Sequence, residues 1–267
     1  MQKENAVKVI QRAAACLSSR STRYKYRICD SGNGGTGLLG AVDFQPIEGK
    51  VVGFSLSDDT MVVQNGRKAE FAAFAISNLT EVPEEGDTVK VTPYARRRFD
   101  GKYLTDPVEE GLSGSGLRYS TYHLGEQKSR IPGVPENASI YLKQMVEQIE
   151  GIKVDTRRTI AQMLIDAGAS KEPVVMVDVD TDPEACFLPT ITFRIDSTLL
   201  HGHLTITLDR ASDAYEVSTR GEFGEEQKVD NIFFDGLGAQ IMALVDDKSW
   251  VKDRVEVLKK GKLKKTG

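Results

Sequence analysis

Apolar positions along this chain change their period several times. Val7, Ile10, Ala14 and Leu17 recur at helical spacing and predict an amphipathic helix over residues 3–18. "RYKYRIC" (23–29) then alternates as a strand does, and "SGNGGTG" (31–37) supplies a flexible turn. From Phe44 onward short runs follow closely: "GKVVGFSL", "TMVVQNG", "AEFAAFA" and "TVKVTPY", with turn signals at Asp58-Asp59, Asn65-Gly66 and Glu85-Gly86. Strands this short and this dense predict a small antiparallel β-barrel-like domain, preceded by a helix, over residues 1–110.

The pattern lapses at "GLSGSG" (111–116), and residues 111–135 are expected to be a linker or long loop. Helical spacing returns with Ile140, Leu142, Met145, Val146 and Ile149, predicting a helix over 138–150. A second helix, 156–167, is expected to start at an Asp155 N-cap, carry Ile160, Met163 and Leu164, and stop at Gly168. After Pro173 the period falls to two in "VVMVDVD", "TITFRID", "LHGHLTITL" and "AYEVSTR", an antiparallel meander of three or four strands. Phe233, Leu237, Ile241, Leu244 and Val245 predict a last helix over 230–246, and "KKGKLKKTG" a basic mobile tail. Residues 136–267 thus read as an α+β domain with an αα-hairpin, and the whole chain as α+β.

Charge and cysteine content narrow the function. Residues 1–110 carry 15 basic and 15 acidic side chains, and 111–267 carry 20 and 24, for a net charge of −4. That balance excludes a generally basic nucleic-acid coat but allows a local patch. Cys16, Cys29 and Cys186 are widely spaced and odd in number, which is neither a disulfide framework nor a zinc ribbon. The start "MQKENAVKVIQRAAACLSS" lacks the apolar run of a signal peptide. No run approaches the roughly 18 apolar residues of a membrane span, so a cytoplasmic protein is expected.

Catalytic motifs are sparse. Gly32, Gly34 and Gly37, with Asp58 further on, match G-x-G-x-x-G, but Gly40 and Pro46 come too soon for the helix a dinucleotide site needs. Asp178 and Asp180 share a strand face, Asp182 and Glu184 follow, and His201 and His203 share another. Together they are a possible ligand set for zinc, manganese or iron in a phosphoesterase or nuclease; a solvated polar sheet face explains them as well. His123, beside Tyr119 and Tyr122, has no evident catalytic partner. Thr156, Arg157 and Arg158 would have to read bases if the two central helices were a helix-turn-helix, and an αα-hairpin packed on the meander fits them better. No cofactor is expected.

Two basic-aromatic segments stand out. "RSTRYKYR" presents Arg20, Arg23, Lys25 and Arg27 with Tyr24 and Tyr26; "YARRRFDGKY" presents Arg96, Arg97, Arg98 and Lys102 with Tyr94, Phe99 and Tyr103. In a small barrel cations can follow a phosphate backbone while rings stack on bases. On a strand, however, "RYKYR" puts its cations and its rings on opposite faces, and edge strands use such charges to prevent aggregation.

Residues 48–94 carry Gly49-Lys50-Val51-Val52-Gly53, then Val62-Val63-Gln64 with Gly66-Arg67, then Leu79, and Gly86 before "TVKVTPY". This stretch resembles the KfrB-type domain of conjugative-plasmid proteins. The resemblance implies a small β domain that stands alone or beside relaxase and primase modules of mobile elements, and it implies no catalytic residues. The resulting expectation is a non-catalytic module that contacts single-stranded nucleic acid through Arg23, Lys25, Arg27, Tyr94, Arg96, Arg97, Arg98, Phe99, Lys102 and Tyr103. The alternatives are a protein-interaction factor that blocks or adapts the conjugation or DNA-processing machinery, and a metal-dependent enzyme using Asp178, Asp180, His201 and His203.

Overall fold

A computed structural model describes residues 1–17, 23–32, 35–37, 40–66, 69–122, 128–179 and 188–261. The fold is α+β, with two compact units: residues 1–95 with 251–267, and residues 96–250.

The first unit opens with helix α1 (Lys3–Leu17) and strand β1 (Lys25–Cys29). A two-stranded ribbon follows, β2 (Gly35–Gly37) and β3 (Gly40–Val42). The main strands are β4 (Ile47–Ser55), β5 (Thr60–Gln64), β6 (Glu70–Ala75) and β7 (Thr88–Thr92). β4, β5 and β6 form an antiparallel meander, and β7 returns to the other side of β4. Pairing of β4 with β5 requires Gly49, because a Cβ there would lie 1.9 Å from the Gln64 carbonyl oxygen. One face of the sheet packs Val62, Phe71 and Ala73 against Ala6, Val9, Ile10, Ala13 and Ala14 of α1. The buried stripe of α1 is therefore rotated toward its small residues, and Val7 is only half-buried. Alanines permit the close approach: a Cβ on Gly53 would sit 3.5 Å from that of Ala13. The opposite face gathers Val51, Met61, Val63, Phe74, Val89 and Val91 into a second core.

The second unit begins at Arg96, earlier than residue 136. A hairpin of β8 (Glu109–Leu112) and β9 (Arg118–Thr121) occupies part of residues 111–135, the stretch expected to be a linker or long loop. Ser129 and Ile131 are buried, and the Ile131 amide donates to Glu150 Oε1 at 2.8 Å. Helices α2 (Ile140–Gly151) and α3 (Ile160–Asp166) follow. α3 starts later than expected because a Thr159–Gln162 capping box begins it, while Asp155 caps only a turn through the amides of Arg157 and Arg158. The antiparallel sheet comprises β10 (Val175–Val177), β11 (Thr190–Asp196), β12 (His201–Asp209), β13 (Ala214–Gly221) and β14 (Glu226–Ile232), in that order. α4 (Phe234–Val245) completes the unit; it starts four residues later than expected because β14 runs to Ile232. Ile191, Phe193, Leu204, Ile206 and Val217 face the helices, and Phe99 stacks on Phe193 with ring centroids 6.4 Å apart. The outward face is polar, with hydroxyl pairs Thr190–Thr207 and Thr192–Thr205 at 3.2 and 3.0 Å. Arg158, 1% exposed, ties the unit together: it pairs with Asp155, Asp166 and Asp246 and lies 3.8 Å from the centre of the Trp250 ring.

The chain then returns to the first unit. β15 (Arg254–Lys259) pairs antiparallel with β7, giving a six-stranded sheet in the order β1-β6-β5-β4-β7-β15. Asp87 holds this return through the Gly261 amide at 2.6 Å and Lys260 Nζ at 3.3 Å. β15 lies almost wholly in a stretch for which no element was expected and reaches only Lys259 of the expected tail; residues 262–267 lie outside the described residues. The transfer separates charge. The first unit holds 18 basic and 13 acidic residues, a net +5; the second holds 17 and 26, a net −9. Among the described residues no helix is long and apolar enough to cross a membrane.

Candidate nucleic-acid interface

The two basic-aromatic segments fall in different units. Arg96, Arg97 and Arg98 open the second, and the turn they form is closed by hydrogen bonds from the Arg98 amide to the Lys102 carbonyl (2.8 Å) and from the Leu104 amide to the Arg96 carbonyl (3.0 Å). Gly101, at φ +81°, allows the reversal. Arg96 and Phe99 are buried in the second unit, and Tyr94 is buried in the first. Arg97 donates to the Gly101 carbonyl and to Tyr103 Oη, both at 3.4 Å, with its guanidinium 4.8 Å from the Tyr103 ring centre. Arg98 donates to the Pro107 carbonyl at 3.3 Å and pairs with Asp100 at 3.4 Å. Lys102 is exposed. Two of the three rings expected to stack on bases are therefore in protein cores, and the arginines brace the turn.

β1 differs. It is an edge strand, paired in parallel with β6, so that Lys25 lies opposite Glu70 and Arg27 opposite Ala72. Lys25, Tyr26 and Arg27 line a cleft of about 280 Å³ with Ile47, Asn65, Glu70, Phe71 and Ala72. The cations and rings still alternate along the strand, but Tyr26 also lines the cleft and is 49% exposed. Its ring leans on Tyr24, 6.2 Å away, and Tyr24 meets Phe71 edge-on. Among the described residues, the Lys25 and Arg27 side chains make no hydrogen bond or ion pair with protein. Glu70 accepts a hydrogen bond from Asn65 Nδ2 at 3.3 Å. Arg23 is exposed and engaged in an interaction. The Asn65 amide donates to the carbonyl of Glu70, where β6 begins, at 2.9 Å, and Arg67 and Lys68 lie outside the described residues, as does Arg20.

The other candidates are dispersed. Asp178 accepts from the amide and hydroxyl of Ser139 at 2.6 and 2.5 Å; burial raises its pKa, but these bonds outweigh that and lower it. Asp178 thus holds Ser139, the residue whose hydroxyl caps α2 by accepting from the Leu142 amide. His201 Nδ1 is 2.8 Å from Asp196, and His203 is exposed opposite Arg194 and Arg220. Asp180, Asp182, Glu184 and Cys186 lie outside the described residues, as do His123 and Gly34. Among the described residues no three histidines, cysteines or carboxylates gather as a metal set. The glycine-rich segment leads into the β2–β3 ribbon, not a helix. Arg157 and Arg158 are buried, which removes them from any base-reading surface. Burial pushes the Cys29 thiol up to about 12, against the opposing effect of Arg27, so it stays protonated and is no nucleophile.

No family model, curated protein or solved structure matches the chain.

Proposed function

We propose that the first unit is a non-catalytic module that holds single-stranded nucleic acid along β1. The observation that carries this reading is a pair of cations, Lys25 and Arg27, with no partner among the described residues, beside a half-exposed Tyr26 in one cleft. Lys25 and Arg27 neutralise phosphates, and Tyr26 offers a face to a base. The net +5 of the unit favours an anionic partner. The proposed site rests on residues of the first unit; Lys102 and Tyr103 belong to the second.

A barrel-like form of the sheet agrees with this role. β4 is shared, its first half pairing with β7 and its second half with β5 across a bulge between Val51 and Gly53, and the face away from α1 packs largely on itself. The resemblance of residues 48–94 to KfrB-type domains supports a place in the cytoplasmic DNA-processing or conjugation machinery of a plasmid or other mobile element.

Photocrosslinking tests the site. A single-stranded oligonucleotide bearing 5-iododeoxyuridine is expected to form an adduct at Tyr26 or Tyr24, mapped by peptide sequencing. Adducts confined to residues 94–103, or none at all, overturn the proposal.

A further inference from the structure

A concavity in the second unit lies between the last turn of α4 and the ends of β12, β13 and β14. Its volume is about 460 Å³. Leu199, Leu200 and Leu244 form apolar wall, and Phe223, at the tip of the β13–β14 hairpin, is 92% exposed. Leu199 is 55% exposed. Water-facing leucine and phenylalanine around one cleft are a recognised mark of a binding surface.

The charge of the lining selects the occupant. Glu222 and Glu225 face the cleft, and among the described residues no lysine or arginine lines it. One Glu222 oxygen is engaged by Arg194, outside the lining, while the Glu225 carboxylate makes no hydrogen bond or ion pair among the described residues. The unit around it carries a net −9, which repels phosphate chains. Gln227 and His201 add polar groups that can meet a peptide backbone. We propose that this cleft is a docking site for an extended segment of a partner protein that alternates apolar and basic side chains: the apolar ones enter between Leu199, Phe223 and Leu244, and the basic ones meet Glu222 and Glu225. This is a second site, independent of nucleic-acid binding at β1.

The test is fluorescence anisotropy of the full chain with a labelled hexapeptide of alternating leucine and lysine. Saturable binding is expected, weakened about tenfold or more by Phe223→Ala, as for an anchor residue, and weakened by Glu225→Gln. A leucine–glutamate hexapeptide is expected not to bind, and hexalysine to bind much more weakly than the alternating peptide. Both substituted residues are exposed, so the variants keep the fold, which circular dichroism checks. Absence of saturable binding, equal binding by hexalysine, or binding unchanged in both variants overturns the proposal.

Discussion

The segment around β1 and the turn at residues 94–103 have nearly the same composition, and the structure uses them in opposite ways. In the turn, backbone reversal at Gly101 brings carbonyls and a ring within reach of Arg97 and Arg98, while Phe99 anchors the segment in a core. In β1 the strand is extended at a sheet edge, and no acceptor among the described residues reaches Lys25 or Arg27. A cation is available to a ligand when the fold leaves it without an internal acceptor. Composition alone does not distinguish the two cases.

A graded series of substitutions can break this comparison, because stability should fall in proportion to how far each side chain is committed internally. Arg158→Ala, which leaves three carboxylates without their cation, is expected to cost about 3–5 kcal/mol, measured by urea unfolding of the second unit's transition. Phe99→Ala is expected to cost about 3 kcal/mol or more from the lost core ring. A smaller effect comes from acid. At Asp247 burial raises the pKa, but bonds from Ser249 and Thr198 prevail and lower it from 3.8 to about 2. A depressed carboxylate stabilises the fold above its unfolded value, and that contribution is lost as pH falls toward 2. Asp247→Asn is therefore expected to flatten the loss of stability between those two values, followed by circular dichroism. The smallest effects belong to Arg97→Ala and Arg98→Ala, within about 1 kcal/mol as for other surface pairs, and to Lys25→Ala and Arg27→Ala, within about 0.5 kcal/mol. A large destabilisation by either β1 substitution would show a structural role there and remove the contrast.

Periodicity made much of this fold legible. Leu142, Met145, Val146 and Ile149 do mark the buried face of α2, although Ile140 is exposed, and the alternation in "TITFRID" and "LHGHLTITL" does mark β11 and β12, because each element buries one face against a single core. What was not legible depends on distant partners. "RVEVLK" carries no local sign that it will cross back to pair with β7, and that pairing sets both the unit boundary and the charge division. Glu70 and Asn65 were missed at the cleft for the same reason: the parallel pairing of β1 with β6 is a non-local event. Arg97 and Arg98 were visible as charges, but their acceptors are mostly backbone carbonyls that a residue pattern does not display.

The most direct measurement is the salt dependence of single-stranded oligonucleotide binding by the wild type, a Lys25→Ala, Arg27→Ala double variant and an Arg97→Ala, Arg98→Ala double variant. Each lost phosphate contact lowers the logarithmic salt slope by about 0.7 for single strands. The β1 variant is expected to bind weakly, with a slope shallower by roughly 1.4, while the turn variant keeps the affinity and slope of the wild type. An unchanged slope in the β1 variant, or loss of binding only in the turn variant, would contradict the assignment of the interface to β1.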